Sequence, residues 1–318
     1  ITQHINAYKI KNISQKSTKN DINSITFIDT PGHAAFTKMR ARGVDITDLV
    51  ILVVAADAGV QEQTRESCNH IKAADVPFLV AINKVDLPEA NVDKVKSQLS
   101  EIGIVPEDYG GDIVTVPISA QTGKGIDDLL EMILLMAEME ELESDPTGEL
   151  EGVVIESSLN KQKGPLATVL IKNGTLKTGQ ELYAEEIHAK VKALVDWQGN
   201  RMEQAEPGDP AEVLGFKEVP PIGAVIGRKP QKMKKQEEGQ EDKEGKFKII
   251  LKSDVKGCSE AIQANLPSEV QLIHCGVGDV TQNDVFLAQS TGAELFSFRV
   301  KLTPTAKSLA KQSGVNVF

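Results

Sequence analysis

The chain has 318 residues, of which 40% are hydrophobic and 25% are charged. This composition is typical of a soluble globular protein and excludes a disordered chain, a collagen-like repeat and a coiled-coil rod as the main architecture. At roughly 150 residues per domain, the length predicts two or three domains. The net charge of −11 disfavours non-specific binding to nucleic acid, so any contact with RNA must come from a local basic patch.

The apolar runs and the cysteines indicate in which cellular compartment the protein lies. The longest apolar run, Leu49 to Ala56, is far shorter than the roughly 20 residues that span a bilayer, and no secretory signal precedes it. The three cysteines (Cys68, Cys258 and Cys275) show no C-x-x-C spacing, which favours a reducing compartment. We therefore expect no membrane partner.

Residues 22–145 alternate short apolar runs with helical patterns, which predicts a parallel β-sheet covered by helices. The run Leu49 to Ala56 is apolar throughout, as expected of a central strand buried on both faces. Further strands are predicted at residues 25–28, 76–82 and 113–118. Helical periodicity predicts helices over residues 92–102 and 126–137.

The pattern changes after residue 147. Short strands separated by Gly-containing turns predict an all-β barrel or sandwich, of which we favour the barrel, over residues 148–228. Residues 229–245 run from basic to acidic with almost nothing to bury, which predicts a linker. Strands and helices then alternate again over residues 246–318, with an N-cap at Thr281 and a helix start at Pro304, which predicts a small α/β/α sandwich. The predicted fold class is multidomain: an α/β domain over residues 1–147, the barrel, the linker and the sandwich.

The run Asp29-Thr30-Pro31-Gly32-His33 follows the predicted strand at residues 25–28. It therefore lies at the carboxyl end of a strand, where open α/β sheets bind ligands. An Asp at this place can hold Mg2+ through a water molecule, and a Gly lets the backbone N–H approach a terminal phosphate. Taken alone, the run would be an ordinary turn.

Two further runs end the next predicted strands. In Asn83-Lys84-Val85-Asp86, the Asp86 carboxylate can accept both N1–H and the 2-amino group of guanine, while Asn83 can bond the base and the neighbouring loop. The Lys84 stem can pack along the ring. In Ser119-Ala120-Gln121, the backbone N–H of Ala120 could bond guanine O6. Three such runs, each at the end of a successive strand, jointly indicate a guanine-nucleotide site.

At this point the sequence resembles the translational GTPases, and more closely the family of bacterial translation initiation factor two. The broader class shares the three runs above. The closer resemblance covers nearly the whole chain apart from the linker, and it rests on a longer set of matches: Ile1 to Ile5, Asp29 to Phe36, Met39 to Gly43, Glu107 to Asp112, Asn173 to Leu176, Ser253 to Gly257 and Gly276 to Asp279.

The resemblance implies a P-loop-type GTPase domain over residues 1–147 and roles for individual residues. Thr2, in the first switch, would coordinate Mg2+ when the nucleotide is a triphosphate, and Asp29 would hold the same ion through water. Gly32 would sense the γ-phosphate, and His33 would orient the attacking water as the catalytic residue. The residues implied to bind GTP or GDP are Asp29, Thr30, Pro31, Gly32, His33, Asn83, Lys84, Val85, Asp86, Ser119, Ala120 and Gln121. Three basic residues of the second-switch helix, Lys38, Arg40 and Arg42, could touch ribosomal RNA, although a solvated helix face explains them almost as well.

One element of the resemblance is missing. No G-x-x-x-x-G-K-[ST] motif occurs in the 318 residues, and such a loop supplies most of the affinity for the phosphates. We expect this loop and the first strand of the sheet upstream of Ile1, and the terminal domain that grips initiator formylmethionyl-tRNA after Phe318. The chain alone is therefore predicted to be an incompetent GTPase.

The function implied by the resemblance is that of a GTP-dependent initiation factor. It would promote binding of initiator formylmethionyl-tRNA to the small ribosomal subunit and joining of the large subunit, and hydrolyse GTP on the ribosome. The expected partners are both ribosomal subunits with their RNA, and the expected state is a monomer in a bacterial cytoplasm, a mitochondrial matrix or a plastid stroma. Two alternatives remain: a non-hydrolysing ribosome-docking scaffold, and an elongation-factor-type GTPase, which should lack the α/β segment after Lys246.

Overall fold

The computed structural model describes residues 5–11, 24–32, 37–160, 162–230 and 247–318, without the side chain of Lys38. Within these ranges the chain forms two compact units. The first contains the described parts of residues 1–9, 29–31 and 144–318, and the second contains those of 10–28 and 32–143. Thr2, His33 and most of the predicted linker lie outside the described residues. The predicted domain boundaries remain predictions.

The N-terminal half follows the predicted α/β alternation. Its strands and helices are, in chain order, β1 (Asn6–Lys11), β2 (Ser24–Asp29), α1 (Thr37–Ile46), β3 (Val50–Ala55), α2 (Glu62–Ala74), β4 (Phe78–Asn83), α3 (Val92–Glu101), β5 (Thr115–Pro117) and α4 (Ile126–Met139). β1 pairs with β2, and β3, β4 and β5 form a parallel sheet in that order. Leu79, Val80, Ala81 and Ile82 of the middle strand are fully buried, because a parallel strand with helices on both sides has no solvent-facing side.

The strand predicted at residues 49–56 is present, and its central position in the sheet stays a prediction. β3 lies at one edge of the sheet formed by the described strands. Its residue Val53 is 56% exposed, whereas Leu52 and Val54 are buried. An apolar run indicates that a strand belongs to a parallel sheet, but it does not tell an edge from a centre.

The second half begins with a closed antiparallel barrel, as predicted. Its strands are β6 (Glu151–Asn160), β7 (Gly164–Asn173), β8 (Leu176–Lys177), β9 (Glu181–Ala184), β10 (Ile187–Val195), β11 (Arg201–Met202), β12 (Gln204–Ala205), β13 (Pro210–Phe216) and β14 (Val225–Gly227). Six of them close in the order β9, β14, β6, β7, β13, β10 and back to β9. Alternate side chains point inward and fill the centre with aliphatic residues such as Val154, Val169, Leu194 and Val213, which is the arrangement that period-2 patterning dictates.

The last segment is an α/β fold built on a parallel sheet. It contains β15 (Phe247–Ser253), α5 (Lys256–Ala264), β16 (Val270–Val277), α6 (Gln282–Thr291), β17 (Glu294–Phe298) and α7 (Pro304–Ser313). The strand order is β16, β15, β17. At the chain end, a single parallel bridge joins Val317 to Leu295 of β17.

The caps of the last segment follow the sequence. Thr281 precedes α6, and its backbone N–H donates to Asp284 Oδ2 at 2.7 Å. Pro304 opens α7 after Thr303, whose hydroxyl accepts from Ala306 N. These helices contradict the elongation-factor alternative, which should lack an α/β segment here. No helix in the part of the chain that the structure describes is long and apolar enough to cross a membrane.

Candidate functional site

The second run of candidate residues starts at the last residue of β4. Asn83 is half-buried, and its side-chain Oδ1 accepts two backbone hydrogen bonds, from Lys84 N at 2.7 Å and from Ala120 N at 3.0 Å. Val85 N donates to Ile118 O at 3.2 Å. Because β4 and β5 are parallel neighbours, their carboxyl ends lie at the same sheet edge. The Asn83 amide therefore ties the end of β4 to the loop that follows β5.

This loop is held by its own backbone. Ser119 is fully buried, its N–H donates to Lys124 O at 2.9 Å, and Gly123 N donates to Ser119 O at 2.9 Å. Gly123 has φ +81°, a left-handed conformation that glycine adopts without strain. Ala120 and Gln121 are exposed at the tip of the loop. The loop therefore presents backbone groups at a fixed place next to Asn83.

Lys84 has an unusual backbone and a defined partner. Its φ is +67°, a region that non-glycine residues rarely occupy, and such outliers occur often at ligand sites. Its Nζ lies 3.3 Å from Asp57 Oδ2, just beyond the end of β3. Partial desolvation raises the pKa of Asp57, but the hydrogen bond and charge of Lys84 lower that pKa by more, so the net pKa lies below the ordinary value.

Asp57 is a residue that no motif in the sequence singles out. It follows β3 as Asn83 ends β4, and Ala56 N donates to Asn83 O at 2.7 Å, so the two strand ends are joined directly. The ion pair holds the Lys84 ammonium to one side while the side chain stays exposed. Asp86 is exposed too. Asn83, Lys84, Asp86 and Ala120 thus lie together at the carboxyl edge of the sheet, where α/β folds bind ligands.

The first run of candidate residues is described in part. Asp29 ends β2 and is exposed, Pro31 is buried, and Gly32 is exposed, with no described atom within 4 Å of the position a Cβ would take. Asp29, Thr30 and Pro31 belong to the first unit, while Gly32 belongs to the second. That this run and the Asn83 run serve one nucleotide stays a prediction.

The metal prediction also stays a prediction. Asp29 presents an exposed carboxylate that a hydrated Mg2+ could approach, and Thr2 lies outside the described residues. Among the described residues there is no group of three or more His, Cys, Asp or Glu side chains that could hold a metal ion.

The interpretation of Arg40 as part of a solvated or RNA-binding face is wrong. Arg40 is only 7% exposed, and its Nη2 lies 2.7 Å from Glu66 Oε1 on α2. Partial burial of Glu66 raises the pKa of that carboxyl, while hydrogen bonds from Thr37 and Arg40 lower it by more, so the net pKa is lowered. Arg40 therefore joins α1 to α2. A charged side chain in an amphipathic pattern gives no sign of such a partner 26 positions away.

Three family models match consecutive parts of the chain. The elongation factor Tu GTP binding domain matches residues 1–139, elongation factor G domain 2 matches residues 149–228, and translation-initiation factor 2 matches residues 226–318. The match over the last segment is the one that separates initiation factors from elongation factors.

Curated relatives match along the full length of the chain. Translation initiation factor IF-2 of Halothermothrix orenii is 46% identical over 100% of this chain and 50% of its own length. The factor of the same name from Thermoanaerobacter sp. (strain X514) is 44% identical over 100% of this chain and 49% of its own. The chain thus spans about half the length of the curated relatives it matches.

Two solved structures share the fold. GDP-bound aIF5B from Aeropyrum pernix has a TM-score of 0.57 at 24% identity, covering 100% of this chain and 66% of that one. The elongation factor SelB from Methanococcus maripaludis, in complex with the GTP analogue GppNHp, has a TM-score of 0.55 at 23% identity, covering 72% of this chain and 50% of that one. At these identities the likeness concerns the fold alone.

Proposed function

We propose that this chain, which belongs to the translation initiation factor IF-2 family, supplies the guanine-recognition and switch residues of a GTP-dependent initiation factor. The observation that carries this proposal is the Asn83 amide, which joins the end of β4 to the loop at Ala120. This geometry assembles an acceptor carboxylate, an aliphatic stem and a backbone donor at one sheet edge. Those are the groups needed to recognise guanine rather than adenine.

Guanine recognition would rest on three groups. The exposed Asp86 carboxylate would accept from N1–H and the 2-amino group, and the Lys84 stem would cover one face of the ring. The N–H of Ala120 donates to Asn83 Oδ1 in the structure, so it would have to share its proton with guanine O6. A site with such polar groups rejects adenine because these groups would be left unpaired, which is worth about 10⁴-fold in discrimination.

The phosphates and Mg2+ would be handled by the first run. Asp29 would hold the hydrated ion, Thr2 would complete its coordination in the triphosphate state, and the backbone N–H of the exposed Gly32 would contact the γ-phosphate. A bound Mg2+ would neutralise charge that develops on the phosphoryl oxygens. His33 would orient the attacking water. Since phosphoryl transfer requires mainly positioning and charge neutralisation, intrinsic hydrolysis would be slow until the ribosome fixes these groups.

The partners follow from the family. We propose that the intact factor binds both ribosomal subunits and promotes binding of initiator formylmethionyl-tRNA in a bacterial cytoplasm. The residues that grip the tRNA are not assigned to this chain. The chain alone, whose 318 residues contain no phosphate-cradling Gly-rich motif, should not bind a fluorescent GTP analogue at micromolar concentrations.

A chimera tests the proposal. Residues 1–318 replace the matching region of the Halothermothrix orenii relative, which is 46% identical, and binding of GDP, ADP and XDP is measured by calorimetry. We expect GDP binding in the chimera, at least 10³-fold preference over ADP, and ribosome-stimulated GTP hydrolysis that is lost in the His33→Ala variant. GDP binding without ribosome-stimulated hydrolysis would favour the docking scaffold, and equal affinity for GDP and ADP would refute the guanine site.

A further inference from the structure

Strand β6 of the barrel is buried on both faces. Its residues 152–157 are all buried, whereas an ordinary barrel strand alternates between the core and solvent. A register shift between Val154 and Glu156 interrupts the pairing with β7, as a β-bulge does when it redirects a side chain. The inner face belongs to the barrel core. The outer face is covered by the last α/β segment, to which β6 is joined by an antiparallel bridge between Ser158 and Val255.

Helix α5 begins at this bridge without a cap of its own. Its N-cap residue is Val255, whose side chain accepts no hydrogen bond, so the first N–H groups of the helix need acceptors from elsewhere. Gly257, Cys258 and Ser259 of the first turn are buried. On the neighbouring loop, a Cβ at Gly278 would lie 2.8 Å from Leu159 Cδ2. The end of β6, at Ser158 and Leu159, is therefore in close contact with the last segment.

The side chain that meets this uncapped end is Glu156. It is 8% exposed, and its Oε1 accepts from Ser157 N at 3.0 Å. Its Oε2 is buried with no hydrogen-bond partner among the described residues. Burial raises the pKa of Glu156 to about 7, although the N–H groups of Ser157, Gly257 and Ile5 act in the opposite direction. A buried carboxylate with an unpartnered oxygen is costly when it is ionised.

We propose that Glu156 is a proton-operated latch: the closed junction between β6 and α5 buries its carboxyl group with no partner for Oε2 among the described residues, which favours the neutral form, and ionisation of this group weakens the junction. Ionisation favours an open junction because water then solvates the carboxylate. The latch does not depend on nucleotide binding. It would couple the placement of the last α/β segment on the barrel to pH.

The charged and titratable groups near Glu156 also favour its neutral form in the closed junction. On α5, Glu260 is a like charge that raises the pKa of Glu156 further. Burial and the negative charges of Asp254 and Glu156 raise the pKa of the Cys258 thiol to about 12, so this thiol stays neutral. On β7 the register partner of Glu156 is Thr168, which does not titrate. The cation of this junction, Arg299, lies 3.9 Å from Asp254 Oδ2 and lowers the pKa of Cys258, and no cation is among the groups that shift the pKa of Glu156.

The direction and the size of the pH effect on the junction follow from proton linkage. The pKa is higher in the closed junction (about 7) than the ordinary value of 4.5, so closure is fully favoured below about pH 4.5 and is weakened progressively as the pH rises to about 7. Between pH 5 and pH 8 the closing equilibrium should fall by about 70-fold. No further change is expected above pH 8 from this group.

Hydrogen exchange of the full chain tests the latch. Exchange of α5 amides, corrected for the intrinsic pH dependence of exchange, is compared at pH 5 and pH 8 in the wild type, in Glu156→Gln and in Glu151→Gln, an exposed carboxyl on the same strand. We expect the opening of α5 to increase by about 70-fold in the wild type and in Glu151→Gln, and to stay constant in Glu156→Gln. The opening of β7 amides, which pair with β6 inside the barrel, should not change between pH 5 and pH 8.

Three outcomes would overturn the latch. They are a pH response that persists in Glu156→Gln, no response in the wild type, and an equal response of α5 and β7, which would indicate global unfolding. If Glu156→Gln does not fold, the carboxyl carbon of Glu156 is titrated by NMR in the wild-type chain. A midpoint near pH 7 supports the latch, and a midpoint below about pH 5 refutes it.

Discussion

The Asn83 amide is the point at which the fold and the candidate site can be tested together. Replacing Asn83 by Ala removes the acceptor of two backbone hydrogen bonds, from Lys84 N at 2.7 Å and from Ala120 N at 3.0 Å. Each such bond contributes about 1 kcal/mol net, and less where water can replace the acceptor. Because Lys84 and Ala120 are exposed residues, we expect a total local loss of about 1–2 kcal/mol.

The assay is native-state hydrogen exchange, read at the two amides that lose their acceptor. A loss of 1–2 kcal/mol raises their opening by about 5- to 30-fold, while amides in the middle of α3 should keep their protection. Asn83→Asp keeps an acceptor oxygen and should retain most of the protection at both amides. Asn91→Ala is a matched control, since Asn91 caps α3 through Lys94 N at 2.9 Å and its loss should affect only that helix end.

Two results would refute this reasoning. If Ala120 exchanges at the wild-type rate in Asn83→Ala, the amide does not tie the loop to β4. If Asn83→Asp loses as much protection as Asn83→Ala, the acceptor oxygen is not the group that matters. In either case the guanine-recognition edge would have to be assembled by the nucleotide itself rather than prepared by the fold.

Three further outcomes are expected. Leu99→Ala, at a fully buried position of α3, should lower the free energy of unfolding of its unit by about 2–5 kcal/mol in urea titrations, and an exposed control such as Glu101→Ala should change it by less than about 0.5 kcal/mol. The ion pair between Lys9 and Asp209, with Nζ–Oδ1 at 2.7 Å and side chains 16% and 18% exposed, should show a coupling energy of about 1 kcal/mol in a double-mutant cycle that weakens at 1 M salt; a coupling of zero at low salt would contradict the contact. In the chimera, Asp86→Asn should lower GDP affinity by at least about 100-fold and raise XDP affinity, because an amide donates where the carboxylate accepts; unchanged nucleotide preference would remove Asp86 from the site.

The sequence predicts helices best where the chemistry of their ends is local. The start at Pro304 and the cap at Thr281 are correct because Pro fixes φ at a first turn and a hydroxyl or carboxylate satisfies the first N–H groups within three residues. The strand at Val50–Ala55 is predicted as an element, and among the described strands it pairs with β4 alone. Its apolar pattern contains no information about which neighbour pairs with each edge, since that depends on residues far along the chain.

The same distinction applies to the site. The sequence predicts that Asn83 ends a strand, because an apolar run precedes it. Its contact with the loop at Ala120 lies at the sheet edge where the predicted strands 76–82 and 113–118 end. The partner of Lys84 is not predictable in this way, because Asp57 is 27 positions away and carries no motif. The burial of Arg40 is not predictable either. Its charge suggests an exposed side chain, whereas in the structure it is buried and paired with Glu66.

Glu156 shows why such residues are functionally informative. In the sequence, Glu156 follows Val153-Val154-Ile155 and has the appearance of the solvent-facing end of a barrel strand. Glu156 is buried where α5 begins, next to the Gly257 and Ile5 backbone groups, which lie far from it in the sequence. On the proposed latch, the titration of Glu156 therefore reports whether the barrel and the last α/β segment are in contact.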